Sequence, residues 1–260
     1  MADNIVHFVG AGPGDAELIT VKGARLLKEA DVVVFAGSLV DRELVRTYAP
    51  TARIWDSAGM TLEETTQLLA EAVLAGQRVV RLHTGDPSVY GAIQEQMTEL
   101  DRLGIDYEVV PGVTSAFAAA AALKQELTLP EVTQTVIITR LAGRTPVPER
   151  EKLPAIAAIG ATMVIYLSVG MIAQVVEELL AGAYNPETPV AVVAKASWPD
   201  EQIISGTLAD IAARVQEAGI GKQALIIVGD VLKARQEGLP ALSRLYDSTF
   251  SHGCRDGIAG

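Results

Sequence analysis

Cysteine is all but missing from this chain: Cys254, near the C-terminus, is the only one in 260 residues. A single thiol excludes an internal disulfide framework and a thiolate metal cluster. Histidine is scarce as well, and His7, His83 and His252 lie too far apart to show metal-ligand spacing, so no metal is expected. Basic residues are outnumbered, 21 Lys and Arg against 32 Asp and Glu, which leaves a formal charge of -11. Such a chain lacks the global basic surface that nucleic acid requires, and that class of partner is set aside. No basic segment precedes the first apolar run, which is a five-residue strand rather than a signal core, so a cytoplasmic protein is expected. Residues 153–176 carry no charge, but Pro154, Gly160, Thr162, Ser168, Gly170 and Gln174 punctuate them. That stretch reads as buried core, and no membrane partner is expected.

What the chain does have is apolar bulk. Hydrophobic residues make up 49% of it, enough to bury a substantial core in one large domain or two smaller ones. Ile5-Val6-His7-Phe8-Val9 reads as a short strand followed at once by the turn Gly10-Ala11-Gly12-Pro13-Gly14-Asp15, and residues 20–30 have helical apolar spacing. Residues 31–36 form a second strand, nearly continuous in apolar side chains, as a parallel strand covered on both faces should be. Thr61-Leu62-Glu63-Glu64 is a capping box that opens a helix ending at Gly76. Residues 78–83 are a third strand, residues 92–103 a helix and residues 107–110 a strand. This alternation predicts a first α/β domain with a largely parallel sheet.

The second half restarts the pattern with less helix. Strands are expected at 132–139, 162–167, 190–195, 202–205 and 224–228, with a helix over 172–181. Trp198-Pro199-Asp200 suits a hairpin-like turn, and Thr207-Leu208-Ala209-Asp210 reads as a second capping box. Residues 140–154 read as a loop, and the charge run Glu149-Arg150-Glu151-Lys152 as solvated surface. The domain junction falls near residues 115–123, giving an N-terminal α/β domain over 1–116, a second over 117–236 and a tail over 237–260.

The stretch around which the chain is organised is Thr84-Gly85-Asp86-Pro87-Ser88-Val89-Tyr90-Gly91. It follows a strand and precedes a helix, and the carboxyl end of a strand in an open α/β sheet is where ligands are held. The same octet also suits an ordinary connection in which Pro87 opens the helix. The first turn, Gly10-Ala11-Gly12-Pro13-Gly14, invites a dinucleotide reading. That fingerprint needs glycine where Asp15 stands, Pro13 removes an N–H that a pyrophosphate would use, and Asp31 begins rather than ends the second strand. A loop approaching a bulky, non-phosphate ligand fits better. His83 and His7 read as structural core residues, and Trp55 as a packing group.

Several separated segments then match one family in its order. Val9-Gly10-Ala11-Gly12-Pro13-Gly14-Asp15, Thr84-Gly85-Asp86-Pro87, Pro111-Gly112-Val113-Thr114-Ser115, Thr139-Arg140 and Ala196-Ser197-Trp198-Pro199-Asp200-Glu201-Gln202 together resemble the tetrapyrrole methylases, S-adenosylmethionine-dependent enzymes of vitamin B12 and sirohaem synthesis. Within that family, Ala36-Gly37-Ser38-Leu39-Val40-Asp41, the octet with His83 before it, and residues 245–253 look like the branch that methylates C11 of precorrin-4 or cobalt-precorrin-4. Uroporphyrinogen-III methylases carry Gly-Gly-Asp-Pro-Phe-Val-Phe-Gly-Arg at the octet, from which Thr84, Ser88 and Tyr90 depart while Val89 agrees.

The resemblance implies two α/β/α domains with a cofactor cleft between them, a homodimer, and S-adenosylmethionine bound by Pro13, Thr84, Gly85, Asp86, Val89, Thr114, Ser115, Ala116, Tyr166, Leu167, Ala194 and Ala224. Leu167 stands where a methionine is common. A macrocycle bearing acetate and propionate groups calls for Arg, Lys or hydroxyl partners, and Arg140, Arg144 and Lys195 are the charged candidates, with Ser38, Tyr90 and Trp198 as neutral contacts. Asp15 and Asp86 are candidates to orient the substrate or accept a proton, or else merely to cap turns. Methylation at another ring carbon, and a non-catalytic protein holding a small ligand between two domains, are the alternatives.

Overall fold

The computed structural model describes residues 5–37 and 39–258, and the chain divides into two compact α/β units. The first runs to Ala118 and takes in Lys195–Glu201; the second comprises Ala119–Ala194 and the chain from Gln202 onward. Among the described residues no helix is long and apolar enough to cross a membrane.

The first unit holds a five-stranded sheet of β1 (Ile5–Gly10), β2 (Val32–Phe35), β3 (Arg53–Asp56), β4 (Val79–His83) and β5 (Asp106–Val110), in the order β3-β2-β4-β1-β5. Every pairing is parallel. The inner strands β2 and β4 are buried along their whole length, which is why β2 reads as an unbroken apolar run rather than an alternation. One face packs Leu26 and Leu27 of α1 (Val21–Glu29) and Leu44 and Val45 of α2 (Arg42–Tyr48) on Val9, Val33 and Leu82. The other packs Leu69 and Val73 of α3 (Leu62–Leu74) and Leu100 of α4 (Ile93–Arg102) on Val6, Phe8 and Val34. The expected capping box at α3 is present: the Thr61 hydroxyl accepts from the Glu64 N–H, and the Glu64 carboxylate from the Thr61 N–H.

From β1 the chain crosses to β2 on one side, and from β4 it crosses to β5 on the other. The adjacent pair β4 and β1 is thus the point where the strand order reverses, and the loops after these two strands flank the natural ligand crevice of such a sheet. They are the two stretches singled out above. Asp31, at the amino end of β2, is tied to the backbone and guanidinium of Arg78.

After α5 (Ser115–Leu123), the second unit holds β6 (Val136–Arg140), β7 (Thr162–Tyr166), β8 (Pro189–Ala194), β9 (Gln202–Thr207) and β10 (Ala224–Val228), ordered β6-β7-β10-β8-β9. Only β6 and β7 are parallel; the other pairings are antiparallel. Helices α6 (Leu153–Ala157), α7 (Ile172–Leu180) and α8 (Ile211–Glu217) cover one face through Leu153, Val175, Leu179, Ile211 and Val215. β8 and β9 make the expected hairpin. β6 begins at Val136 instead of Val132, because Leu129 and Thr133 first close a turn on each other. The second capping box does not form as one. Thr207 ends β9 and its N–H bonds to Asp210 Oδ1, so the side chain of Asp210 serves the turn and α8 starts at Ile211 without a side-chain cap.

Candidate active site

Three glycines bring the carboxyl ends of β4, β1 and β5 into main-chain contact. A Cβ at Gly10 would lie 2.6 Å from both Gly112 Cα and the Gly85 carbonyl oxygen, and one at Gly112 would lie 2.1 Å from that oxygen. Gly85 has a φ of 60°, and a Cβ there would meet Thr114 Cα and Ser115 N at 3.7 Å. Thr84, Gly85, Asp86, Thr114 and Ser115 are therefore assembled in one place within the first unit, with Ala116 buried at the start of α5.

Amide groups that a phosphate would need are consumed inside this cluster. Ala11 N–H bonds to the His83 carbonyl at 2.7 Å, Gly12 and Gly85 exchange N–H···O bonds of 3.3 and 2.7 Å, and Asp15 N–H bonds to Ser197 Oγ at 3.0 Å. The Pro13 carbonyl accepts from Trp198 Nε1 at 2.9 Å, and Gly14 lies flush on the indole, where a Cβ would come within 2.2 Å of Cδ1. The glycines of this loop serve close packing, and the dinucleotide reading loses its physical basis here. Trp198 is held by the glycine loop. Ser197 is a residue that sequence reasoning left out of the site, although it lay inside a motif that had been singled out.

The two aspartates are engaged by backbone. Asp86 Oδ1 accepts from Ser88 N–H at 2.8 Å and Oδ2 from Gly112 N–H at 2.9 Å, so the carboxylate links the β4 turn to the β5 turn. Asp15 Oδ1 accepts from Glu17 N–H at 2.9 Å and caps a single 3-10 turn, Ala16–Leu18. Val89 is half-buried and Tyr90 half-exposed, and Tyr90 adopts a φ of 56°. Ser38 lies outside the described residues. Lys195, with a φ of 49°, pairs with Asp200, whose carboxyl it holds below the usual range.

His83 closes β4 at 5% exposure, its ring 5.9 Å from that of Phe8. Burial, reinforced by the positive charge of Arg81, pushes its imidazole down to about 3. It is a core residue as expected, yet its Nε2 has no hydrogen-bond partner among the described residues. His7 is buried too, with Nδ1 3.3 Å from Glu108.

In the second unit the expected residues fall in a row across the strand ends. Arg140, the last residue of β6, is level with Tyr166, the last of β7; Ala194, the last of β8, is level with Ala224, the first of β10. Since Ile226 pairs antiparallel with Ile165, Ala224 comes level with Leu167. Leu167 adopts a φ of 55° and is 66% exposed, an unusual posture for a branched residue and a common mark of a ligand site. Fully buried Ser168 holds it, donating to the Tyr166 carbonyl at 2.6 Å and accepting from Leu141 N–H at 2.9 Å. Ser168 gave no signal in sequence beyond being a polar residue in an apolar run. Arg140 donates to the carbonyls of Leu141, Thr145 and Pro146, which folds the loop after β6 about its guanidinium. Arg144, in that loop, is exposed and in no ion pair among the described residues.

Residues 5–212 match the family model Tetrapyrrole (Corrin/Porphyrin) Methylases. The chain belongs to that family. This tetrapyrrole methylase is 58% identical over 247 residues to a cobalt-precorrin-4 C(11)-methyltransferase of Methanocaldococcus jannaschii, covering 95% of this chain and 94% of the relative. It is 54% identical over 230 residues to a precorrin-4 C(11)-methyltransferase of Mycobacterium tuberculosis, covering 88% and 92%. Among solved structures it superposes on a cobalt precorrin-4 methyltransferase, described as a cobalamin biosynthetic enzyme, with a TM-score of 0.86 at 49% identity, covering 88% of this chain and 96% of that one. It also superposes on a uroporphyrin-III C-methyl transferase from Thermus thermophilus complexed with S-adenyl homocysteine, with a TM-score of 0.75 at 34% identity, covering 88% and 99%.

Proposed function

We propose that this tetrapyrrole methylase transfers the methyl group of S-adenosylmethionine to C11 of precorrin-4 or cobalt-precorrin-4 in cobalamin synthesis. The observation that carries the reading is the meeting of residues 10–12, 84–86 and 112–115 at the reversal point of the first sheet, in a chain so similar to enzymes of that name. The residues there suit a sulfonium cofactor: all but Asp86 are small and neutral, the Asp86 carboxylate is spent on the Ser88 and Gly112 amides, and the Ala11, Gly12 and Gly85 amides are spent on main-chain carbonyls.

When bound, the cofactor supplies an electrophilic methyl group on a cationic sulfur that leaves as a neutral thioether. The protein's task is then to align a nucleophilic ring carbon with that methyl and to keep water away. In the first unit we assign cofactor contacts to Pro13, the Thr84-Gly85-Asp86 turn, Val89 and Thr114-Ser115-Ala116; in the second, to Tyr166, Leu167, Ala194 and Ala224. Asp86 acts by holding the β4 and β5 turns together, and Asp15 by shaping the glycine loop. Arg140 and Arg144 engage carboxylates of the macrocycle, joined by Tyr90 and Lys195. As a carbon–carbon bond forms and the carbon–sulfur bond breaks, the charge passes to the macrocycle, which sheds it with a proton. A cytoplasmic homodimer completes the reading, and light scattering on the eluting peak checks the oligomeric state.

Incubation with carbon-labelled cofactor and precorrin-4, with and without cobalt, tests the proposal by locating the new methyl carbon by NMR. Label at C11 is expected; label at another ring carbon, or none, sinks it. Calorimetric titration with S-adenosylhomocysteine checks cofactor binding separately.

A further inference from the structure

Beneath the octet lies a buried cation to which the reaction gives no work. Arg81 is the middle residue of β4, itself the middle strand of its sheet, and is 6% exposed. Its Nε donates to Gln96 Oε1 and its Nη1 to Ser57 Oγ, each at 2.9 Å. Both partners are neutral, and among the described residues Arg81 is in no ion pair. Burial lowers it only to about 10, so it stays charged at neutral pH. A buried charge held by uncharged acceptors is a costly occupant of a strand whose neighbour on the same face is Val79, and an aliphatic side chain would fill the place more cheaply.

The two arms end on main chain. Ser57 Oγ donates to the Phe35 carbonyl at the end of β2, while Gln96 Nε2 donates to the Ala92 carbonyl at 3.2 Å. Ala92 is where local sequence supplies least support. It precedes α4 with a φ of 50° and provides no side-chain cap, Tyr90 two residues before it has a φ of 56°, and a Cβ on the intervening Gly91 would lie 2.2 Å from the Pro87 carbonyl oxygen. Two left-handed residues with side chains around one glycine persist only where the surroundings hold them. The Arg81-Gln96-Ala92 chain is such a hold.

We propose that Arg81 is a positioning residue for the tetrapyrrole, acting through Gln96 to fix the Tyr90-Gly91-Ala92 turn, with its left-handed Tyr90 and Ala92, that presents Tyr90 to the macrocycle. This rests on the function proposed above. Gln96→Leu removes both bonds of the glutamine. Gln96→Glu keeps Arg81 partnered but cannot donate to Ala92. Steady-state kinetics with precorrin-4, calorimetry with S-adenosylhomocysteine and thermal melts are run on the full chain and both variants. Each variant is expected to raise the KM for precorrin-4 by about tenfold, with kcat and the S-adenosylhomocysteine Kd within about twofold of the parent. A KM unchanged within that margin overturns the proposal even if the melting temperature falls, because the cluster is then packing alone. A parallel loss of cofactor affinity overturns it too. Should Gln96→Leu fail to fold, Gln96→Glu decides by the same two outcomes. If the parent itself leaves precorrin-4 unmethylated, the function falls together with this inference; a working parent with unaffected variants overturns this inference alone.

Discussion

Replacing His83 by phenylalanine should flatten the acid limb of the stability profile. The folded imidazole, buried beside Arg81, is pushed down to about 3, whereas in the unfolded chain it titrates at its ordinary 6.5. Between those limits the unfolded state binds the extra proton. The contribution is therefore complete above the unfolded value and drains away as pH falls toward the folded one. Lowering the pH from about 7.5 to about 5 protonates nearly all unfolded chains at this position and almost no folded ones, which costs ~2 kcal/mol. Both tryptophans, Trp55 and Trp198, belong to the first unit, so urea titrations followed by indole fluorescence report on the unit that carries His83. The parent should lose ~2 kcal/mol more than His83→Phe over that interval, every carboxylate contribution being common to both. Parallel losses, differing by less than about 0.5 kcal/mol, would refute the assignment of a neutral buried imidazole.

Three further outcomes are expected. Gly112→Ala drives a methyl into the Gly85 carbonyl and should cost ~1–3 kcal/mol of stability while weakening S-adenosylhomocysteine binding; an alanine variant that binds as the parent does would show that the turn can shift freely. Arg140→Ala should raise the KM for the tetrapyrrole and leave cofactor affinity intact, as read by kinetics and calorimetry; unchanged values for both would confine Arg140 to ordering its loop. Asp86→Asn should weaken cofactor binding by about tenfold, because one of its two amide partners is left without an acceptor, with no change in the pH profile of kcat. A kcat drop of about a thousandfold with an altered profile would restore Asp86 as a base.

Much of the first unit was legible because parallel strands covered on both faces leave unmistakable apolar runs, as at Val32–Phe35. What escaped notice there was the short α2 and the edge strand β3, whose Arg53, Ile54 and Trp55 are exposed and lack any alternation to betray them. In the second unit the strands were visible but not their directions, since β7 finds β10 across a long interval of sequence. Sequence marked Asp15, Asp86 and Arg140 as residues to watch without distinguishing catalysis from architecture. That distinction depends on which main-chain groups each side chain meets, and no spacing rule records it. Arg81 was overlooked inside an apolar strand, where a charged residue should itself have been the signal.

The glycine contacts at Gly10, Gly85 and Gly112 bear on how such an enzyme can be re-engineered. At a side-chain interface, enlarging one partner can be offset by trimming the other. Here each neighbour is peptide backbone, which has nothing to trim, so no second-site change can accommodate a methyl at Gly10 or Gly112. Variation in what the site accepts is thereby channelled to the outer rim of the octet, to positions such as Ser88 and Tyr90, while the floor beneath them stays fixed.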